Sequence, residues 1–295
     1  MQKALKWVGI GLGVVIALVL IVVVALYAVG RARIHRAYEV GESFTVPTSA
    51  EAVERGRLLT GSTVGCLECH SPNGSGSVFF DNEPPFGTMA APNLTTGAGG
   101  VGGMTDAEWE RAVRHGIGHD GRVLIIMPSH HYAWMSDEDL GAVLAYVKSL
   151  PPVDNELPAR SLHPLLYILG AAGMLGDLPV EAIDHNAAHP ASVVPSTDAA
   201  YGEYLAHLAT CYDCHGPALD GQTAGGPPAE VPPPNITGGG EVGGWTTEQF
   251  IAAMRTGVTP SGRQLDPAGM PWMLFGQMSD DDLTALYNYL QTLPE

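Results

Sequence analysis

The pattern Cys-x-x-Cys-His occurs twice, at Cys66–His70 in "VGCLECHSPNG" and at Cys211–His215 in "ATCYDCHGPAL". It uses all 4 cysteines of the 295-residue chain. Each motif heads a copy of a longer repeat. "APNLTTG" is answered by "PPNITGG", "GGMTDAEWERAVRHGIGHDGR" by "GGWTTEQFIAAMRTGVTPSGR", and "MPSHHYAWMSDEDLGAVLAYVKSLPP" by "MPWMLFGQMSDDDLTALYNYLQTLPE". Offsets of 145, 142, 141 and 143 residues drift too little for chance and describe one domain written twice with small loop differences. The copies run from about Glu51 to Val153 and from about Asp198 to Glu295, with residues 154–197 as connector.

Each copy reads as helical. Thr105 with Glu108, and Thr246 with Gln249, have the spacing of a capping box. Ser136 and Ser279 are N-cap residues for a final helix, with Asp139 and Asp282 at its third position. Leu140, Leu144 and Val147 recur at helical spacing, as do Leu283, Leu286 and Leu290, and Pro151 and Pro294 end the runs. The segments between are loops rich in the chain's 37 Gly and 23 Pro. A domain this small with so much loop has a thin apolar core, and a further apolar body must fill it.

The cysteines name that body. Cys-x-x-Cys followed by His is the attachment signature of a c-type haem: the thiols form thioethers and the imidazole becomes an axial ligand. Zinc does not need a histidine after both cysteine pairs. A thioredoxin-like motif expects a βαβ context, and disulfides do not need this spacing. Two covalent haems c are the expectation, at Cys66, Cys69, His70 and at Cys211, Cys214, His215.

Val8 to Val29 is 22 residues without a charge. As a helix it is about 33 Å long, enough to cross a bilayer, and it exceeds the ~7–15 residues of a signal-peptide core. "LYAVG" is a poor cleavage site at Ala28. Residues 1–30 therefore read as an uncleaved membrane anchor and 31–50 as a tether. Lys3 and Lys6 on one side nearly balance Arg31, Arg33 and Arg36 on the other, so the positive-inside rule leaves the orientation open. Covalent haem attachment takes place outside the cytoplasmic membrane. It puts the repeats on the periplasmic side and residues 1–7 in the cytoplasm, against the three arginines. The connector run "LHPLLYILGAAGMLGDLP" is too short and too Gly-rich to span, and is expected to wrap against one or both domains. With 14 Lys and Arg against 31 Asp and Glu, the chain lacks the basic face that nucleic acid requires. The acidity suits solubility, or a basic protein partner met by electrostatic steering.

These residues carry a family resemblance over residues 52–295. The chain resembles membrane-anchored dihaem cytochromes c with two class I domains, and is similar to the cytochrome subunits of bacterial alcohol and aldehyde dehydrogenases. The resemblance implies an all-α fold. It implies that the carbonyls of Pro92 in "PNLT" and Pro234 in "PNIT" accept a hydrogen bond from His70 and His215, which fixes the ring and raises its basicity. It pairs Gly56 with Tyr146 and Gly202 with Tyr289 across the first and last helices of each copy. It makes Met127 and Met270, each in a Met-Pro pair, the sixth iron ligands, and a Met/His pair raises the potential. Rivals remain: Met135 and Met278, which suit packing beneath the helix cap, Met273, and His130 or His131, which in such loops are more often solvated. His115 and His119 belong near a helix C-terminus. Trp109, Trp134, Trp245 and Trp272 suit core packing more than porphyrin contact, and Arg122 and Arg263 are candidates for haem propionates.

The implied function is relay of single electrons between a donor and an acceptor, with no catalytic residue, free or as a subunit of a larger respiratory or photosynthetic complex. A dihaem peroxidase would need an iron with an open position. A thiosulfate-oxidising cytochrome would need a further cysteine. Denatured protein in acidified acetone is expected to keep two haems per chain in the pellet; haem released into the solvent would contradict four thioethers.

Overall fold

Helix α1, Gln2–Ile34, is the longest element. It belongs to the first of two units in the computed structural model, which describes residues 2–41, 43–221 and 232–294. Glu295 and most of the Gly- and Pro-rich loop of the second copy, residues 222–231, lie outside the described residues. The first unit unites the chain up to residue 37, which contains α1, with residues 78–90 and residues 158–177. Strands β1 (Ser77–Glu83), β2 (Gly87–Ala91) and β3 (Ser161–Leu162) form a small sheet in that order. Strand β3 pairs antiparallel to β2, Gly87 against Leu162. An all-helical expectation did not include this sheet; the chain is nonetheless mostly helical. Helix α7, Pro164–Ala171, follows β3 and packs on α1. The apolar half of the connector thus joins the unit of α1, because an uncharged helix finds its apolar partner there.

The second unit holds the second repeat and the first repeat apart from residues 78–90. The first copy contains α2 (Ala50–Leu59), a π-helical turn at Thr60–Val64, α3 (Cys66–His70), α4 (Asp106–His115), α5 (Ser129–Tyr132) and α6 (Asp137–Lys148). The second repeats it with α8 (Ala199–Leu208), α9 (Cys211–His215), α10 (Thr247–Thr256), α11 (Trp272–Phe275) and α12 (Asp280–Thr292). Both capping boxes form, Thr105 with Glu108 and Thr246 with Gln249, and Ser136 and Ser279 cap the final helices. The tether is not free: Val46 joins the first core, its N–H donates to Asp106, and Pro47 lies against Gly141.

In each copy the first and last helices cross backbone to backbone. A Cβ on Gly56 would lie 1.8 Å from the Ala142 carbonyl oxygen and 2.9 Å from Tyr146 Cβ. On Gly202 it would lie 2.0 Å from the Ala285 oxygen and 2.7 Å from Tyr289 Cβ. No rotamer relieves a clash with backbone. Met135 and Met278 are fully buried in the two cores, beneath the caps of α6 and α12.

The copies also share apolar contacts. Tyr201, Tyr204, Leu205 and Leu208 of α8 belong to the same buried cluster as Leu140, Val143 and Leu144 of α6. Asp139, 1% exposed, receives Arg55 Nε at 2.6 Å and the Tyr204 hydroxyl at 2.7 Å. The Gly202→Ala variant is expected to lose about 1–3 kcal/mol or more of stability in denaturant titrations, as overpacking of a tight contact does. Gly61→Ala, where a new Cβ meets nothing within 4 Å, should be neutral or slightly stabilising.

Candidate functional site

A left-handed residue opens each Cys-x-x-Cys-His helix, Gly65 at φ 63° and Thr210 at φ 53°, and each helix ends at another residue of positive φ, Ser71 at 65° and Gly216 at 81°. The short helices α3 and α9 are thereby held between two reversals. Glycine at 65 is the ordinary choice for this region; Thr210 carries a side chain there and is strained.

The chain after each histidine folds back on a Pro-Asn segment by the same set of bonds. Gly76 N–H donates to the His70 carbonyl at 2.8 Å and Gly221 N–H to that of His215 at 2.9 Å. Leu94 N–H donates to Gly74, and Ile236 N–H to Leu219. Cβ atoms on Gly76 or Gly221 would strike this segment, 2.7 Å from Asn93 N in one copy and 2.9 Å from Asn235 N in the other. Asn93 Oδ1 accepts from the N–H and hydroxyl of Thr95, and Asn235 Oδ1 from those of Thr237. The two prolines are thus fixed, and His70 Nδ1 donates to the Pro92 carbonyl at 2.8 Å as His215 Nδ1 does to that of Pro234 at 2.8 Å. With Nδ1 occupied, Nε2 is the nitrogen left for a ligand bond. Burial pulls both imidazoles below the ordinary histidine value, with the proline bond opposing it, so they are neutral and able to ligate at pH 7.

All four cysteines are free. Burial pushes Cys66 and Cys211 up to about 12 and raises Cys69 and Cys214 less. They stay thiols, the form that adds across an alkene. Met127 and Met270 are half-buried and pack on the same apolar clusters as Cys66 and Cys211 respectively. The Trp109 indole N–H is buried with no acceptor among the described residues. Free thiols at two-residue spacing, an imidazole with Nε2 open, and a thioether on the same cluster fit a covalently held haem in each copy.

Other candidates have different roles. Arg122 pairs with Asp120 and Arg263 with Glu241. Trp272 donates to the Leu265 carbonyl, and its ring lies against Gly257. His115 ends α4 as expected, but is buried against Glu110 at 3.4 Å and hydrogen-bonded to His185. His131 corrects the reading as a solvated loop residue. It is 5% exposed and donates from Nε2 to Asp213 Oδ1 at 2.9 Å, while His130 Nε2 reaches the same oxygen at 3.3 Å. The loop following Met127 in the first copy is therefore bonded to the haem-attachment motif of the second.

Burial would raise the Asp213 carboxyl, but the bonds and charge of His130 and His131 outweigh it and hold it well below the usual carboxylate range. Nδ1 of both histidines is buried with no partner among the described residues. That favours the tautomer with the proton on Nε2. A metal ion on the two Nε2 atoms would drive each proton to a buried Nδ1 without an acceptor, so hydrogen bonding explains the cluster better.

Beside it, Trp134 of the first copy stacks on His207 of α8 at 3.6 Å and 9°, and His207 stacks on Tyr212 at 4.4 Å. Tyr212 hydroxyl is 2.6 Å from that of Tyr289. The repeat alignment gave no sign of these contacts, since each joins residues that are not equivalent. Only the acidic residue inside both motifs, Glu68 and Asp213, was visible, and nothing distinguished the second.

The cytochrome c family profile matches residues 53–151 and 199–294. The chain is 28% identical over 272 residues to the fructose dehydrogenase cytochrome subunit of Gluconobacter japonicus, covering 85% of this chain and 55% of that one. It is 28% identical over 274 residues to the gluconate 2-dehydrogenase cytochrome c subunit of Pantoea cypripedii, covering 82% and 59%. It is 28% identical over 253 residues to a dihaem cytochrome c-type protein of Cereibacter sphaeroides, covering 78% and 82%. The chain spans little more than half the length of the two dehydrogenase subunits.

Burial, followed by the neighbouring charges of His131 and His130, lowers His207 to about 4. In the unfolded chain it titrates near 6.5. Between those values the unfolded state binds more protons, so stability must fall as pH drops from about 6.5 to about 4. Thermal melts across that window are expected to show a shallower decline in His207→Gln than in the parent.

Proposed function

The chain belongs to the cytochrome c family, and from that premise we propose a membrane-anchored dihaem carrier that passes single electrons from an extracytoplasmic dehydrogenase to an acceptor. Two c-type haems, one for each matched region, and an electron-transfer role follow from the family and the paired motifs. Bound haem supplies a one-electron iron couple.

The chain's own residues do the rest. Cys66 with Cys69, and Cys211 with Cys214, hold the group by thioethers. His70 and His215 present Nε2 to the metal while Pro92 and Pro234 fix the plane of each ring and raise its basicity. The observation that carries the reading is this bond, at 2.8 Å in both copies. Met127 and Met270 would supply a soft thioether to the same group, which would favour the reduced state and exclude water and small ligands. A closed position suits transfer of electrons and does not suit peroxide chemistry. Asp213 adjoins Cys214, and its bond to His131 leads four residues back to Met127, so one hydrogen bond links the surroundings of the two haems.

Helix α1 is long and apolar enough to cross a membrane, and we assign it as the anchor, with the haem domains on the extracytoplasmic side where haem is attached. A dehydrogenase as donor is supported by the relatives named as cytochrome subunits of such enzymes. Residues 198–295 carry 12 acidic and 2 basic residues against 12 and 6 in residues 51–153. The second haem is therefore assigned to face a basic partner, with transfer rates that fall as salt rises.

Ferric protein is expected to show the weak near-infrared band of thioether ligation. Met127→Ala and Met270→Ala should each remove roughly half of it, lower one midpoint potential and open one site for carbon monoxide. A parent protein that binds carbon monoxide fully at one haem would overturn the closed-iron carrier in favour of an enzyme.

A further inference from the structure

The connector run 161–176 contains no Asp, Glu, Lys or Arg, and the fold places it against the end of α1. A Cβ on Gly30 would lie 1.8 Å from the Tyr167 carbonyl oxygen, so α1 and α7 meet backbone to backbone, a crossing that small residues permit inside membranes. Tyr27 and Tyr167 meet edge to face at 5.4 Å, and Tyr167 hydroxyl is hydrogen-bonded to His35 Nε2 at 3.0 Å. Arg33 donates to the carbonyls of Gly170 at 2.8 Å and Gly176 at 2.7 Å. The Gly170 carbonyl also accepts from the N–H groups of Ala172 and Gly173, so the guanidinium adds a charged donor at the C-terminal end of α7, where a cation complements the helix dipole. Ile34, Leu166 and Tyr167 are buried in the contact.

The level of this contact relative to a bilayer follows from α1. A hydrocarbon core of about 30 Å takes about 20 helical residues, and Val8–Val29 supplies 22. The next residues, Gly30 to Ile34, then lie in the headgroup zone, where tyrosines and arginines concentrate. From Leu5 to Ala25 the described side chains of α1 are exposed, and the chain covers the helix only from Leu26 onward. The outward surface of α7 and its following turn lies at that level too. It presents Leu165, Ala172 and Met174, the last 68% exposed.

We infer that residues 164–175 form a membrane foot, an interfacial segment whose outer face rests in the headgroup and acyl boundary of the leaflet next to the haem domains. The inference rests on α1 being the anchor. Lipid is the occupant because the apolar face continues the lipid-facing surface of α1 at the same depth, while charge resumes at Arg160 and Asp177. It also gives Arg33 a structural role on the side where the positive-inside rule disfavours it.

The test uses full-length holoprotein alone in phospholipid nanodiscs, exposed to hydroxyl radicals from water radiolysis and mapped by mass spectrometry. Met273, on α11 of the haem-domain unit and 60% exposed, is the water-facing reference. Met174 is expected to oxidise several-fold more slowly than Met273, with Leu12–Val24 unlabelled. Equal rates, with Leu12–Val24 still protected, would overturn the foot and leave the anchor standing. Labelling within Leu12–Val24 would remove the anchor, and the foot with it. Protection of Met174 that appears only on adding a dehydrogenase would assign the face to a protein and overturn the lipid assignment.

Discussion

One hydrogen bond, made twice, organises each haem domain: imidazole Nδ1 to a proline carbonyl 22 residues on in the first copy and 19 in the second. To hold that carbonyl still, the chain uses the left-handed turns around the motif, the glycines at 76 and 221 and the Asn-Thr pairs after each proline. The loops are long, but their bonds are repeated in both copies. At Gly76 and Gly221 glycine answers to close backbone approach, since a Cβ there would strike the proline segment.

Local features were legible in the sequence because they depend on short spacings. Cys-x-x-Cys-His, Thr-x-x-Glu and Ser-x-x-Asp each specify a geometry within one turn of chain, and the duplication supplied a second reading of each. The Gly56–Tyr146 and Gly202–Tyr289 crossings were legible only through the family resemblance. What spacing could not show was how unlike parts of the two copies meet. His131 was misjudged because its partner, Asp213, lies 82 residues away on a different copy. The small sheet was not expected: β1 and β2 arise within a loop segment, and β3, at its edge, is only two residues long. The later part of the connector does lie against the first copy, where Pro190 and Ala191 accept from the start of α6; the apolar run before it joins α1 instead, and on paper such a run pairs equally well with a domain core or with another apolar helix.

The contact between the copies is reciprocal in kind. The loop after Met127 reaches the motif of the second copy through His131 and Asp213. In return Leu274, shortly after Met270, lies so close to Gly65 that a Cβ there would come within 2.9 Å of it. Each loop carrying a proposed methionine ligand is thus backed by the other copy's attachment region.

The buried cluster that takes in α6 and α8 together has a different consequence. Duplicated domains often remain interchangeable parts that can be cut apart, shuffled or expressed singly. Here Tyr204 completes the coordination of a buried aspartate in the first copy, and Trp134 covers a histidine of the second. Severing the chain at the connector would leave Asp139 short of a partner on one fragment and a bare aromatic face on the other. Each copy therefore completes part of the other's packing, and the tandem packs as one body rather than as two separable parts.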